Sequence, residues 1–257
     1  MPRIYLSPSL QDFNLYDGGG NEEEYMNLIA DAMVPYLRAT GIELVRNNLN
    51  QTLPEIIAQS NRDRYGMHVA LHSNASPEGM EGQLTGPDIY YNPSNHESQR
   101  FAEILADRIR EIYPKPQKVN TRPSKNLAEV LQTRNPAVLL ETAYHDNPQD
   151  AQWIRDNVAA IARTVVQALA EYFGIPFQEP QPIRAGIVRT GYQVDGHWYC
   201  QGAPGLNVRS MPSTHSIIVA VVPCGEEVTI YSRTGDWYVI SYRNATGYVY
   251  ADYVEEL

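Results

Sequence analysis

Basic residues are in short supply in this chain. Twenty Lys and Arg stand against thirty Asp and Glu, a net charge of −10. A nucleic-acid backbone needs a concentrated Lys/Arg surface, so the balance excludes nucleic acid as the partner. Long apolar runs are missing too: nothing approaches the ~18 consecutive apolar residues of a membrane span. The opening "MPRIYLS" is interrupted by charge and proline too soon to serve as a secretory signal, which leaves a cytoplasmic protein or one exported by other means. Only two cysteines occur, Cys200 and Cys224, both in the C-terminal quarter. They supply neither a disulfide framework nor a metal-ligand spacing, and they read as two buried thiols that could pair if oxidised.

What is present is ordinary globular composition, 43% hydrophobic and 19% charged. A length of 257 residues suits one large core plus a small second domain. The boundary falls in "FGIPFQEPQPIRAG", where three prolines follow a strong helical pattern and read as a semi-rigid linker. The expected division is a first domain over 1–175, a Pro-rich linker over 176–185 and a second domain over 186–257.

In the first domain short apolar runs alternate with amphipathic stretches. Ile4 to Leu6, Glu43 to Arg46, His68 to His72, Asp88 to Tyr91 and Val138 to Glu141 read as strands. Met26, Ile29, Met33 and Leu37 share one helical face; Ile154, Val158, Ile161, Val165 and Leu169 repeat the pattern, with Gly174 as the stop. Strands separated by helices predict an α/β fold, a largely parallel twisted sheet flanked by helices. After the linker, "EEVTIYSR", "WYVISYR" and "TGYVYADYV" are punctuated by turn residues, and a small all-β barrel is expected.

Reactive groups in open α/β sheets gather beyond the carboxyl ends of the strands. Ser7 to Asn14 follow the first strand, His72 ends another and Glu141 a third, while "NEEEYMN" opens the first helix near the same edge. Carboxylates and an imidazole at one edge are the parts of a zinc hydrolase. His68 and His72 cannot share an ion: on a strand four residues span ~13 Å, and on a helix the metalloprotease motif needs Glu where Val69 stands. Only His72 is placed to act, and the polar "SNAS" after it supports that.

"LHSNAS", "PAVLLETAYHDNPQDAQWI" and the preceding "EEYMNLIAD" together resemble the zinc-dependent N-acetylmuramoyl-L-alanine amidases of type 3. The resemblance covers most of residues 1–175 and implies hydrolysis of the amide between the lactyl group of muramic acid and L-alanine in peptidoglycan. It puts a zinc-binding His on His72, the catalytic Glu on Glu141 and a metal-binding Glu on Glu23, counted back from Asn27. One element departs: the family opens with Asp-Pro-Gly-His, whereas this chain reads "LSPSLQ". Gln11 is the nearest replacement for the missing histidine, with Asp12 and His145 as competitors. A neutral carboxamide implies weaker zinc binding or another metal. Glu22 and Glu24 read as solvated first-turn carboxylates favoured by the helix dipole, and Arg134 is the alternative, structural partner for Glu141.

"GLNVRSMPS" with "GEEVTIYSRTGDWYVISY" and "TGYVYADYVEEL" resembles a bacterial SH3 domain, which implies a cell-wall-binding module whose exposed aromatics stack on sugar or peptide. Two rival readings accompany the amidase: a catalytically inactive wall-binding protein, supported by the missing His, and a zinc peptidase acting on peptidoglycan peptides. The missing signal suggests a phage-type lysin or a secreted enzyme trimmed of its leader.

Overall fold

The computed structural model describes residues 1–180, 184–189, 205–243 and 245–257. Chain order in the first unit begins β1 (Arg3–Pro8), α1 (Glu22–Thr40), β2 (Glu43–Arg46), α2 (Leu53–Ser60), β3 (Met67–Asn74) and β4 (Asp88–Tyr91). It continues with α3 (His96–Ile112), β5 (Asn120–Pro123), α4 (Ala128–Leu131), β6 (Ala137–Tyr144), α5 (Pro148–Asp156) and α6 (Val158–Phe173). Six strands form one sheet in the order β2-β1-β3-β6-β4-β5, with β4 antiparallel to β6 and every other pairing parallel. The expected α/β sheet is therefore present. Among the described residues no helix is long and apolar enough to cross a membrane.

Strand alternation sorts side chains between two faces. Ile4, Leu6, Met67, Val69, Leu71, Val138 and Leu140 face a large apolar core completed by α1, α3 and α6. Tyr5, Ala70 and Leu139 point the other way, into two small clusters with Ile56, Tyr65 and Val130. His68 and His72 share the parity of Ala70, and Glu141 that of Leu139, so the chemistry-bearing residues lie on the thinly covered face. β3 and β6 bring His72 and Glu141 into register as direct neighbours.

Local signals explain the helix ends. Asn21 caps α1 by accepting a hydrogen bond from Glu24 N at 2.9 Å, and α6 stops at Gly174, whose φ of 66° is left-handed and whose N–H closes on Ala170 and Glu171. The single helix expected through Leu169 is instead two, broken at Asn157, whose Nδ2 donates to the Trp153 carbonyl at 2.8 Å. An asparagine that can satisfy a backbone carbonyl interrupts a helix without disturbing its apolar period. β5 was not legible, because "NTRP" carries neither alternation nor apolar residues.

The second unit holds β7 (Arg184–Val188), β8 (Leu206–Arg209), β9 (Ile218–Val222), β10 (Glu227–Thr234), β11 (Trp237–Tyr242), β12 (Ala245–Tyr250) and β13 (Val254–Glu256). They form an antiparallel sheet in the order β13-β7-β10-β11-β12-β8-β9. β7 already pairs at Arg184 and Ala185, residues expected in the linker. The cores also touch: Val239 and Tyr248 join the apolar cluster of the first unit, and β12 packs on α1 and α6. Cys200, Trp198 and Tyr199 lie outside the described residues. The reading of free thiols is corrected at Cys224, which is disulfide-bonded; sequence spacing carries no information on how closely two Cα atoms approach, which is what a bridge requires.

Candidate active site

Behind β1 the chain folds into a tight loop over residues 9–21. Ser9 N donates to the Leu71 carbonyl at 2.9 Å and Glu22 N to the Asn14 carbonyl at 2.9 Å. Asn27, one turn into α1, donates from Nδ2 to the carbonyls of Ser9 at 3.1 Å and Glu23 at 2.8 Å. Loop and helix are thereby fixed against the carboxyl end of β3.

At that end three side chains converge. His72 Nδ1 lies 2.8 Å from Glu22 Oε1 and 3.3 Å from Gln11 Nε2. Asn14 Nδ2 donates to Glu22 Oε2 at 2.6 Å and to Gln11 Oε1 at 3.2 Å, holding the carboxylate and the carboxamide together. The expected partner of His72 was Glu23; the position beside His72 is taken by Glu22. Consecutive helix residues are rotated by ~100°, so neighbouring carboxylates at a helix start face different ways. Counting back from Asn27 selects the one that does not meet the ring; Glu23 is half-buried and nearest in charge to Asp12 and Glu24. The reading of Glu22 as a solvated first-turn acid is likewise corrected, since it has no exposed surface.

The electrostatics of the site are set by one imidazole among buried carboxylates. Burial alone would raise the Glu22 carboxyl, but the hydrogen bond and charge of His72 hold it below its ordinary range. Burial alone would lower His72, but Glu129 and Glu22, one facing each ring nitrogen, keep it protonated well above its usual value. A neutral imidazole between two carboxylates would set one lone pair against an anion. A second proton resolves that, and so does a cation at Nδ1.

Glu141 stands beside His72 on β6, and its Oε2 is buried without a hydrogen-bond partner. Burial pushes its carboxyl up to about 7; His72 pulls it down, and Glu22 and Asp88 add to the rise. Arg134, the alternative partner, is exposed and lies in the turn that precedes β6. Asp88, opposite Glu141 on β4, is neutralised by Arg122 at 2.8 Å. Of the competitors for the missing imidazole, Asp12 is exposed. His145 is engaged elsewhere, with Nδ1 at 3.0 Å from Ser73 Oγ and its ring stacked on Tyr16 at 5.5 Å.

These groups border a cavity of about 410 Å³ with Gln11, His72, Glu129 and Glu141 on its polar side and Leu10, Leu53 and Leu127 on its apolar side. Among the described residues no three His, Cys, Asp or Glu are grouped to hold a metal ion. The donors that do meet are one imidazole, one carboxylate and one carboxamide, with an unpartnered carboxylate oxygen alongside. That set fits a divalent cation, held less tightly than by two imidazoles. Sequence reasoning missed Glu129; the signal available was its place in "AEVL", an acid inside an apolar turn.

Comparison with known proteins gives the family of each unit. A family model described as N-acetylmuramoyl-L-alanine amidase matches residues 12–171, and one described as bacterial SH3 domain matches 204–255. The first match begins one residue after Gln11, where the chain departs from the family's opening. No curated protein matches the chain. Among solved structures, the N-acetylmuramoyl-L-alanine amidase AmiC2 of Nostoc punctiforme superposes with a TM-score of 0.60 at 16% identity, covering 67% of this chain and 97% of that one. The CwlD amidase from Clostridioides difficile, solved with the GerS lipoprotein, gives 0.59 at 13%, covering 68% and 99%. The catalytic domain of the CD27L endolysin targeting Clostridia Difficile gives 0.55 at 18%, covering 66% and 98%. At such identities the likeness is one of fold.

Proposed function

Because this chain belongs to the N-acetylmuramoyl-L-alanine amidase family and is a peptidoglycan amidase, we propose that it cuts the bond between muramic acid and L-alanine at the cleft beside His72, with zinc held by His72, Glu22 and Gln11. The observation that carries this reading is that Glu22 Oε1 and the Gln11 carboxamide nitrogen lie 2.8 and 3.3 Å from His72 Nδ1, so that the carboxamide need only turn its oxygen inward to join the carboxylate and the imidazole, with the orphaned Oε2 of Glu141 on the neighbouring strand. Zinc, when bound, supplies a Lewis acid that polarises the scissile carbonyl and acidifies the attacking water.

The chain's own groups do the rest. Glu141 is the general base: its carboxylate takes the proton the water loses and passes it to the departing alanine nitrogen. A carboxyl near 7 suits both steps, since it accepts and releases a proton close to neutral pH. Leu10, Leu53 and Leu127 exclude water from one side of the cleft and offer apolar contact to the lactyl and alanyl methyl groups. Glu22 takes the role first assigned to Glu23.

For the SH3 domain the reading is wall attachment. Tyr238, Tyr242 and Tyr248 are buried and serve packing. Tyr231, Trp237, Tyr250 and Tyr253 are half-buried, the last three forming a run of edge-on and tilted rings with centroids 5.4 and 5.9 Å apart; among the described residues of this unit these four are available to a sugar or peptide.

The test is digestion of purified peptidoglycan by the zinc-loaded chain, with the new amino termini identified. Release of N-terminal L-alanine is expected. Release of another amino terminus would mark a peptidase, and no release would mark a binding protein; either result sinks the proposal.

A further inference from the structure

β3 buries a second histidine that the reaction does not touch. His68 has no exposed surface, and a buried imidazole needs partners for both nitrogens. Its Nδ1 lies 2.9 Å from Ser60 Oγ at the end of α2, and its Nε2 lies 2.9 Å from Glu129 Oε1 on α4. The ring of Tyr5 stacks over it at 5.1 Å. Four residues along the same face of the strand, His72 Nε2 faces the other oxygen of Glu129, Oε2, at 3.6 Å. One carboxylate, only 4% exposed, therefore spans both imidazoles.

Burying an anion carries a desolvation cost that its partners must offset. Apolar side chains would fill the same space without that cost. The second oxygen, aimed at His72 and lining the cleft, is the part that packing does not explain.

We propose that Glu129 is a positioning residue for the amidase reaction: held by His68 and Ser60, it fixes the ring of His72 so that Nε2 carries the proton and Nδ1 is presented to Glu22 and Gln11. This rests on the reading of His72 as a metal ligand. Carboxylates face both ring nitrogens, Glu22 Oε1 at 2.8 Å from Nδ1 and Glu129 Oε2 at 3.6 Å from Nε2; when a cation takes the place of a proton at Nδ1, the proton that remains on Nε2 is the one that faces Glu129. The same logic orders the rest of the chain: His68 donates from Nε2 to Glu129 and accepts from the Ser60 hydroxyl at Nδ1. Ser60 and His68 thus keep the carboxylate from turning away, and the orientation of His72 is set from the interior of the protein.

The experiment compares the full chain with Glu129→Gln in three measurements: zinc affinity by competition with a chromogenic chelator, the ring ¹H–¹⁵N NMR pattern of His72, and amidase kinetics at saturating zinc. The expected result is zinc binding weakened by about 10- to 100-fold, the range known for such outer partners. In the zinc-loaded chain the His72 Nε2–H resonance should shift and exchange faster with solvent, and kcat should fall with KM little changed. Zinc affinity within about threefold of the parent, with an unchanged His72 pattern, overturns the positioning role and leaves the metal reading standing. A parent chain that takes up no zinc overturns both. Should Glu129→Gln not fold, Ser60→Ala keeps both imidazoles and the carboxylate and removes only the outer hydrogen bond. A few-fold loss of zinc affinity then supports the proposal, and none overturns it.

Discussion

The two faces of the six-stranded sheet are built on different principles. One is closed by α1, α3 and α6 over an apolar core in which Phe101, Leu105, Ile161 and Val165 have no exposed surface. The other is covered only by α2, α4 and the loop over 9–21, and into that thinner layer go both histidines of β3, Glu22, Glu129 and Glu141. Stability and chemistry are thus separated by a sheet one residue thick. A strand serves both because alternate residues face opposite ways: Val69 and Leu71 pack in the large core while His68 and His72 lie on the cleft face.

That separation is exposed to direct attack. The largest effect is expected from Glu141→Gln, which should leave folding and zinc affinity unchanged and lower the rate of L-alanine release by about 10²- to 10⁴-fold, the usual weight of a general base. Release near the parent rate would make Glu141 structural. The converse is Phe101→Ala on the helical face. It should cost about 3–5 kcal/mol of unfolding free energy, measured in denaturant, while the zinc affinity of the folded fraction stays the same; a change in that affinity would show the faces to be coupled.

The cleft face can be sharpened as well as broken. Gln11→His puts an imidazole in place of the proposed carboxamide ligand and should tighten zinc by about tenfold or more, since even the outer partners of ligands are worth 10- to 100-fold. Unchanged affinity in a chelator titration would remove Gln11 from the ligand set. The dependence on pH follows from Glu141, whose carboxyl is raised to about 7 by burial. A raised carboxyl is ionised, and able to act as base, only above that value. At constant zinc saturation kcat should be level at alkaline pH and fall about tenfold per unit below about 7. A limb near the ordinary carboxylate range would mean that burial does not govern this group.

The smallest effect tests whether the barrel belongs to the first core. Val239 lies on β11 yet clusters with the residues around α1 and α6. Val239→Ala should cost about 1.5 kcal/mol, from ~0.8 kcal/mol per buried CH₂, and lower one shared melting transition in calorimetry. Two transitions, with only the barrel's moving, would return the two units to the loosely linked arrangement that the prolines suggested.

Much of this protein was legible before folding. Apolar period and turn residues were enough for the helical face, since Met26, Ile29, Met33 and Leu37 must bury one stripe whatever else happens. The same period passed through Asn157 without registering the break, because a side chain bonding to a backbone carbonyl leaves no mark on hydrophobicity. At the cleft, the common edge of His72 and Glu141 was readable from their places at strand ends, but which of Glu22 and Glu23 faces them was not. One residue along a helix turns a carboxylate by ~100°, and only the Asn21 cap and the Asn14 contact decide which acid meets the ring.

Glu129 was further out of reach. It lies 57 residues after His72 and 61 after His68, on a single turn of helix, and no local pattern relates the three. The sequence by itself determined the residue types, the strand parity that puts two histidines on one face, and the apolar stripes that force helices onto the other. The tertiary structure alone decided which acids those histidines meet, because pairing a buried charge depends on a few tenths of an ångström across elements far apart in the chain, and hydrophobic periodicity carries no information on that scale.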